Sequence, residues 1–126
     1  MDITLVASGI VVRDLTVAQR FYETALGMKE TNRVRVDSLK LEEVILATPG
    51  GGAALVLMQY DDGRVHVEVG QKLVFMVPSP AAVADAAVGA GGAVLFPATE
   101  MPEFGATIAF VQDPDGHGIE VLDRAV

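Results

Sequence analysis

The 126-residue sequence contains no cysteine. That absence excludes disulfides, thiolate metal ligands and cysteine nucleophiles together, and it suits a reducing compartment, so the cytoplasm is the expected location. Basic residues are scarce: nine Lys and Arg stand against seventeen Asp and Glu, a formal net charge of −8. Such a surface repels phosphate backbones and anionic lipid, and neither nucleic acid nor a membrane is expected as a partner. No long apolar run is present. The opening MDITLVASGIVVRDL carries Asp2 and breaks at Arg13-Asp14, the pattern of neither a signal peptide nor a membrane span. The two histidines, His66 and His117, fall in loop-like stretches, which leaves no Ser-His-Asp or Cys-His arrangement to build. Gly89, Gly91 and Gly92 follow a helical stretch instead of opening one, and no Lys-Ser or Lys-Thr follows Pro49-Gly50-Gly51-Gly52. Dinucleotide and phosphate loops are therefore not indicated.

The length suits one domain, 1–126, able to bury roughly two thirds of its unfolded surface. Ile3 to Val12 reads as a strand buried on both faces, stopped by Asp14. In DLTVAQRFYETALGM the apolar residues Ala18, Phe21, Tyr22, Ala25 and Leu26 share one helical face. Thr16 with Gln19 reads as its capping box and Gly27 as its stop. Three strand-like runs follow, Lys29 to Val36, Leu39 to Thr48 and Ala53 to Tyr60, closing a first βαβββ unit of about 1–60. A polar connection, 61–70, leads to a second unit of about 71–126. There Gln71 to Val77 reads as a strand, and Ser79-Pro80 opens an alanine-rich helix that runs to Ala90 and ends at Gly91-Gly92. Strands are expected at Ala93 to Phe96, Ala106 to Gln112 and His117 to Asp123, the last two joined by the turn Asp113-Pro114-Asp115-Gly116. Arg13 and Pro78, and likewise Gly27 and Gly92, are related by one offset, which supports an internal duplication.

Glu120 stands out, because it places a carboxylate between Ile119 and Val121 in a run that otherwise reads as core. Burying it is costly unless it meets a cation, a metal or hydrogen-bond donors. Arg33 and Arg35 alternate with Val34 and Val36, so both guanidiniums share one strand face; the surface reading is preferred over a ligand-facing one. His117 is expected on the solvent side of its turn, and His66 in the connection between units. Asp61-Asp62-Gly63 and Asp113-Pro114-Asp115-Gly116 lack the alternating ligands and terminal Glu of a calcium loop. Met58, Met76, Met101, Tyr60 and Phe104 are candidates for an adaptable apolar wall.

The stretches GIVVRDL and FYETALGM in the first unit and FVQDPDGHGIEVL in the second, in this order on two βαβββ units, resemble the vicinal oxygen chelate superfamily. That superfamily groups glyoxalase I, bleomycin-resistance proteins and extradiol dioxygenases. The resemblance covers the whole chain. It implies an α+β fold in which tandem βαβββ units form a curved mixed sheet around a cavity, and a homodimer that completes its cavities across the subunit interface. The family's metalloenzymes carry ligands on the first and fourth strand of each unit, positions that fall here at Ala7, Val56, Lys72 and Glu120. Only Glu120 is a competent ligand, since a lysine ammonium has donors and no acceptor. A metal cofactor is therefore not expected, and Glu120 is expected to face Lys72. Three functions follow from the resemblance: metal-independent binding or sequestration of a small or antibiotic-like ligand in a cavity lined by Ala7, Val56, Met58, Met76, Tyr60 and Phe104; a metal-free lyase or isomerase with Glu120 as general base and Lys72 stabilising an enolate; or a glyoxalase-like metalloenzyme with other ligands.

Overall fold

In the computed structural model, which describes residues 2–68 and 70–125, the chain divides into two compact units, Met1–His66 and Val67–Val126. Val69, in the expected connection, and Met1 and Val126, at the ends of the expected domain, lie outside the described residues.

In the first unit, β1 (Ala7–Val11) runs parallel to β4 (Ala54–Tyr60), and β3 (Leu41–Ala47) lies antiparallel between β4 and β2 (Lys29–Val36). The strand at the N-terminus is shorter than its sequence pattern. Ala7 pairs with Ala54, the first residue of β4, so the partner strand has already ended upstream of Val6. Ile3, Leu5 and Val6 are accordingly exposed. Helix α1 (Leu15–Leu26) is capped by Asp14, whose Oδ1 accepts from the Val17 N–H at 3.1 Å. This corrects the expected Thr16–Gln19 box: Thr16 lies inside the first turn, and the Gln19 amide donates to Glu23 and Glu30. A further tie comes from β4, where Gln59 Oε1 accepts from the Leu15 N–H at 2.7 Å. Gly27 ends the helix at φ 65°, the left-handed conformation that a side chain would strain. Leu15, Ala18, Phe21, Tyr22 and Ala25 are buried, with Val44, Leu46, Leu55 and Leu57 from the sheet. Leu39 belongs to a short 3-10 turn, Asp37–Leu39, and β3 begins two residues later.

The second unit repeats the order. β5 (Lys72–Met76) runs parallel to β8 (Gly118–Leu122), followed by β7 (Ala106–Gln112) and β6 (Ala93–Met101) at the edge. Helix α2 (Pro80–Gly89) starts as the sequence indicates, with Ser79 Oγ accepting from the Ala82 N–H and Pro80 at the first position. Strand β6 continues past Pro97, where the sequence suggests a stop. Two irregularities in its pairing absorb the residue that lacks an N–H, a position edge strands tolerate. The hairpin β7–β8 closes on Asp113, whose Oδ1 accepts from the N–H groups of Asp115 and His117, both at 2.9 Å. That inward pull leaves His117 buried, which corrects the expected solvent-side placement.

Each unit therefore has its own mixed four-stranded sheet and one helix, an α+β arrangement. No helix is long and apolar enough to cross a membrane among the described residues.

Candidate functional site

Alternation along a strand sends successive side chains to opposite faces, and paired residues share a face. In the second unit Leu73, Phe75, Ala109, Val111, Ile119 and Val121 occupy one face. The last four are almost fully buried, together with Ala84 and Ala87 of α2. Lys72, Val74 and Met76 of β5, Ile108 and Phe110 of β7, and Glu120 and Leu122 of β8 occupy the other.

On that second face Lys72 pairs in register with Gly118, and Val74 with Glu120. Glu120 lies diagonally from Lys72 across that pairing, and Lys72 Nζ donates to Glu120 Oε1 at 2.6 Å. The pair is asymmetric: the Lys72 side chain is 49% exposed, the Glu120 side chain 11%. Such a short, charge-assisted bond satisfies the carboxylate that the strand pattern would otherwise strand in the core. Phe110 lies directly across from Glu120, and its ring centroid is 5.5 Å from Lys72 Nζ, within cation–π range. Phe96 meets Phe110 edge to face, with centroids 6.3 Å apart. Ala106, Ile108 and Leu122 form a buried apolar cluster beside them, with Met101 and Phe110 packed against it. The hairpin turn fixes Phe110 opposite Glu120, so counting outward from Asp113 and His117 makes this neighbour readable from sequence, although the expected wall residues do not include it.

The first unit holds the equivalent register. Ala7 pairs with Ala54, and Val56 lies two residues further along β4, the relation that Gly118 and Glu120 bear to Lys72. Both side chains are alkyl. Val56, Met58 and Tyr60 share the face of Ala7 and are half-buried. Gly9 makes room for Met58, whose methyl would lie 3.0 Å from a Cβ built there. Tyr60 carries the Arg64 guanidinium 3.8 Å above its ring. Met76 shares the face of Lys72 and is largely exposed, whereas Phe104 lies in the turn between β6 and β7, half exposed and outside the strands.

Arg33 and Arg35 are held by the protein's own acids. Arg33 donates to Gln19 and Glu30, and Arg35 grips Asp61 with two bonds of 2.6 Å while its Nε reaches Asp37. Those guanidinium bonds hold the Glu30 and Asp61 carboxyls below their ordinary range, and Asp61 with Asp37 holds the Arg35 guanidinium above its own. His66 is exposed near the end of the first unit. Among the described residues no three His, Asp or Glu side chains stand together as a metal-binding group. A cavity of about 270 Å³ opens at the far end of the β6–β7 hairpin, between Glu100, Met101, Thr107 and Arg124, and the Lys72–Glu120 pair is not part of its lining.

Comparison with known proteins gives this arrangement its relatives. A probable lactoylglutathione lyase of Vibrio parahaemolyticus is 31% identical over 120 residues, spanning 90% of this chain and 85% of that protein. The solved glyoxylase/bleomycin resistance protein/dioxygenase domain from Frankia is similar at 28% identity and a TM-score of 0.76, over 92% of this chain and 93% of that one. A glyoxalase I mutant from Zea mays superposes at a TM-score of 0.80 with 22% identity, a likeness of fold, over 98% of this chain; this chain spans only 45% of the maize chain. The model of one family matches residues 3–121, nearly the whole duplicated βαβββ pattern, and on that match the chain belongs to the Glyoxalase/Bleomycin resistance protein/Dioxygenase superfamily.

Proposed function

We propose that the chain is a metal-independent binder of a small molecule, with the Lys72–Glu120 face of its second unit as the binding face. The observation that carries this reading is the 2.6 Å bond from Lys72 Nζ to Glu120 Oε1. Where the family's metalloenzymes hold ligands, two positions here are alkyl, one is an ammonium and one is a carboxylate already bonded to that ammonium. A divalent ion needs several oxygen or nitrogen acceptors, and a protonated lysine offers none while repelling the ion. The residues present do not fit the metal, and the ammonium supplies the positive charge in its stead. The protein acts as a homodimer in this reading, supported by the exposed apolar Ile3, Leu5 and Val6, which monomers seldom leave uncovered as a group. The cysteine-free composition suits the cytoplasm.

The resemblance to a probable lactoylglutathione lyase favours a second reading, a metal-free lyase or isomerase in which Glu120 takes a proton and Lys72 stabilises the enolate. Thermal-shift screening against cationic glycopeptides and small keto acids, with and without chelator, separates the possibilities. The binding reading expects a ligand-induced shift that chelator leaves intact and no turnover of the ligand. Turnover in chelator favours the second reading. Loss of the shift in chelator with recovery on adding Zn²⁺ overturns both.

A further inference from the structure

We infer that the ligand of the second unit's helix-free face is an aromatic carboxylate, taken up by the exposed side of the Lys72 ammonium and by the ring of Phe110. The inference rests on the reading of this face as a binding face and adds the chemical class of what it binds.

Charge is the first reason. An ammonium has three N–H donors, and Glu120 Oε1 takes one of them. The Lys72 side chain is 49% exposed and the Glu120 side chain 11%, so the charge that an incoming molecule meets is the positive one. A cationic ligand would have to reach the carboxylate past the ammonium that covers it. An anion meets the ammonium directly, and a carboxylate accepts its remaining donors through charge-assisted bonds. Among the described strand residues of this face Lys72 is the one cation; Arg124, just past the end of β8, lines the cavity with Met101 and Ala106 at the far end.

Shape is the second reason. The ammonium lies 5.5 Å from the centroid of the Phe110 ring. A ring bonded directly to a carboxylate on that ammonium can therefore be placed on the Phe110 side of it, at the roughly 4.5–7 Å centroid separation at which aromatic rings pair favourably. Phe110 is already engaged edge to face by Phe96, which is 37% exposed, so a ligand ring would complete a three-ring cluster. Val74 and Met76, both largely exposed on the same face, add apolar contact, and methionine adapts to rings of different outline. An aliphatic acid would use the ammonium and forgo the ring contact; an aromatic amine would have the ring contact and meet a like charge.

The test uses the full-length protein and three probes: benzoate, cyclohexanecarboxylate and benzylamine, each titrated while two-dimensional NMR follows the side chains of Lys72, Phe96 and Phe110. Benzoate is expected to shift all three. Cyclohexanecarboxylate should bind about threefold to tenfold more weakly, the difference an aromatic pair makes, and benzylamine should leave the Lys72 signal in place. Lys72→Met should weaken benzoate at least about tenfold, as loss of a charge-assisted bond requires. Phe110→Leu, which keeps an apolar side chain, should weaken benzoate and leave cyclohexanecarboxylate little changed; this variant serves if Lys72→Met folds poorly. Benzylamine binding as well as benzoate, equal affinity for the two acids, or benzoate affinity indifferent to both variants would overturn the inference. Failure of benzoate with and without added Zn²⁺ overturns the ligand class alone, whereas benzoate binding that appears only with Zn²⁺ overturns the metal-independent reading beneath it.

Discussion

Replacing Lys72 by Met removes the one donor on the Glu120 carboxylate among the described residues and leaves that group, 11% exposed, beside Phe110 and Val74. A fully buried ion pair loses about 3–5 kcal/mol when either partner is removed. This pair is buried on one side only, so the two single substitutions should differ. Lys72→Met should cost about 2–3 kcal/mol, because the abandoned carboxylate has little access to water. Glu120→Leu should cost about 1 kcal/mol or less, because the ammonium is half exposed and hydrates in place of its partner. The double variant replaces both ends with apolar groups on an apolar face, and should cost less than Lys72→Met alone. The resulting coupling is about 1–2 kcal/mol, well above the few tenths by which distant sites depart from additivity. Urea denaturation of the four proteins gives these values from midpoints, provided the slopes agree. Equal losses from the two single variants would show that the asymmetry of burial does not govern the energetics. Additive losses below about 0.5 kcal/mol would show that the two side chains do not depend on each other in solution.

Three other outcomes follow from the described geometry. Asp14→Ala should cost about 1 kcal/mol, the worth of an N-cap, whereas Thr16→Ala should have little effect, and thermal melts that reverse this ranking would restore the capping box. Asp61 has its folded pKa lowered below 3.8 by the Arg35 guanidinium, so the stability it contributes is full above pH 3.8 and lost as pH falls through the folded value. Asp61→Asn should therefore flatten the acid limb of the stability curve below pH 3.8, and an unchanged limb would show that the exposed pair is inert. If two copies associate, dilution should lower the melting temperature, and charged substitutions at Ile3 and Leu5 should shift the protein to monomer by light scattering; a monomer at working concentration with full stability would refute the dimer.

Legibility varied with how locally each feature is determined. The face of α1 was readable because Ala18, Phe21, Tyr22 and Ala25 carry the helical period alone, and Gly27 marks a backbone conformation that other residues resist. The β7–β8 hairpin was readable for the same reason, since its turn is written in Asp113-Pro114-Asp115-Gly116. Features set by a partner strand were not. Ile3 to Leu5 carry strand-forming side chains with no paired strand beside them, because β4 starts at Ala54, whose N–H reaches back only as far as the Val6 carbonyl. Pro97 looked like a boundary, yet β6 is an edge strand that can accommodate it. The helix cap had two chemically suitable residues two positions apart, and only the backbone of Asp14 decides between them. The contact of Lys72 with Glu120, set by parallel pairing that puts the lysine opposite Gly118, was reached only through the family's strand pattern and not from the residues around either side chain. Phe110 was within reach of a count along the hairpin, whereas the burial of His117 depends on the inward turn built by Asp113.

The proposal that the Lys72 ammonium takes the place of a metal is tested most directly by metal content coupled to stability. Protein purified without chelator should carry far less than one equivalent of any divalent metal by elemental analysis, and micromolar Ni²⁺ or Zn²⁺ should leave its melting temperature unmoved, because an ion that does not bind the native state cannot stabilise it. One tightly held equivalent per chain, with a metal-dependent rise in melting temperature that Glu120→Gln abolishes, would contradict the account.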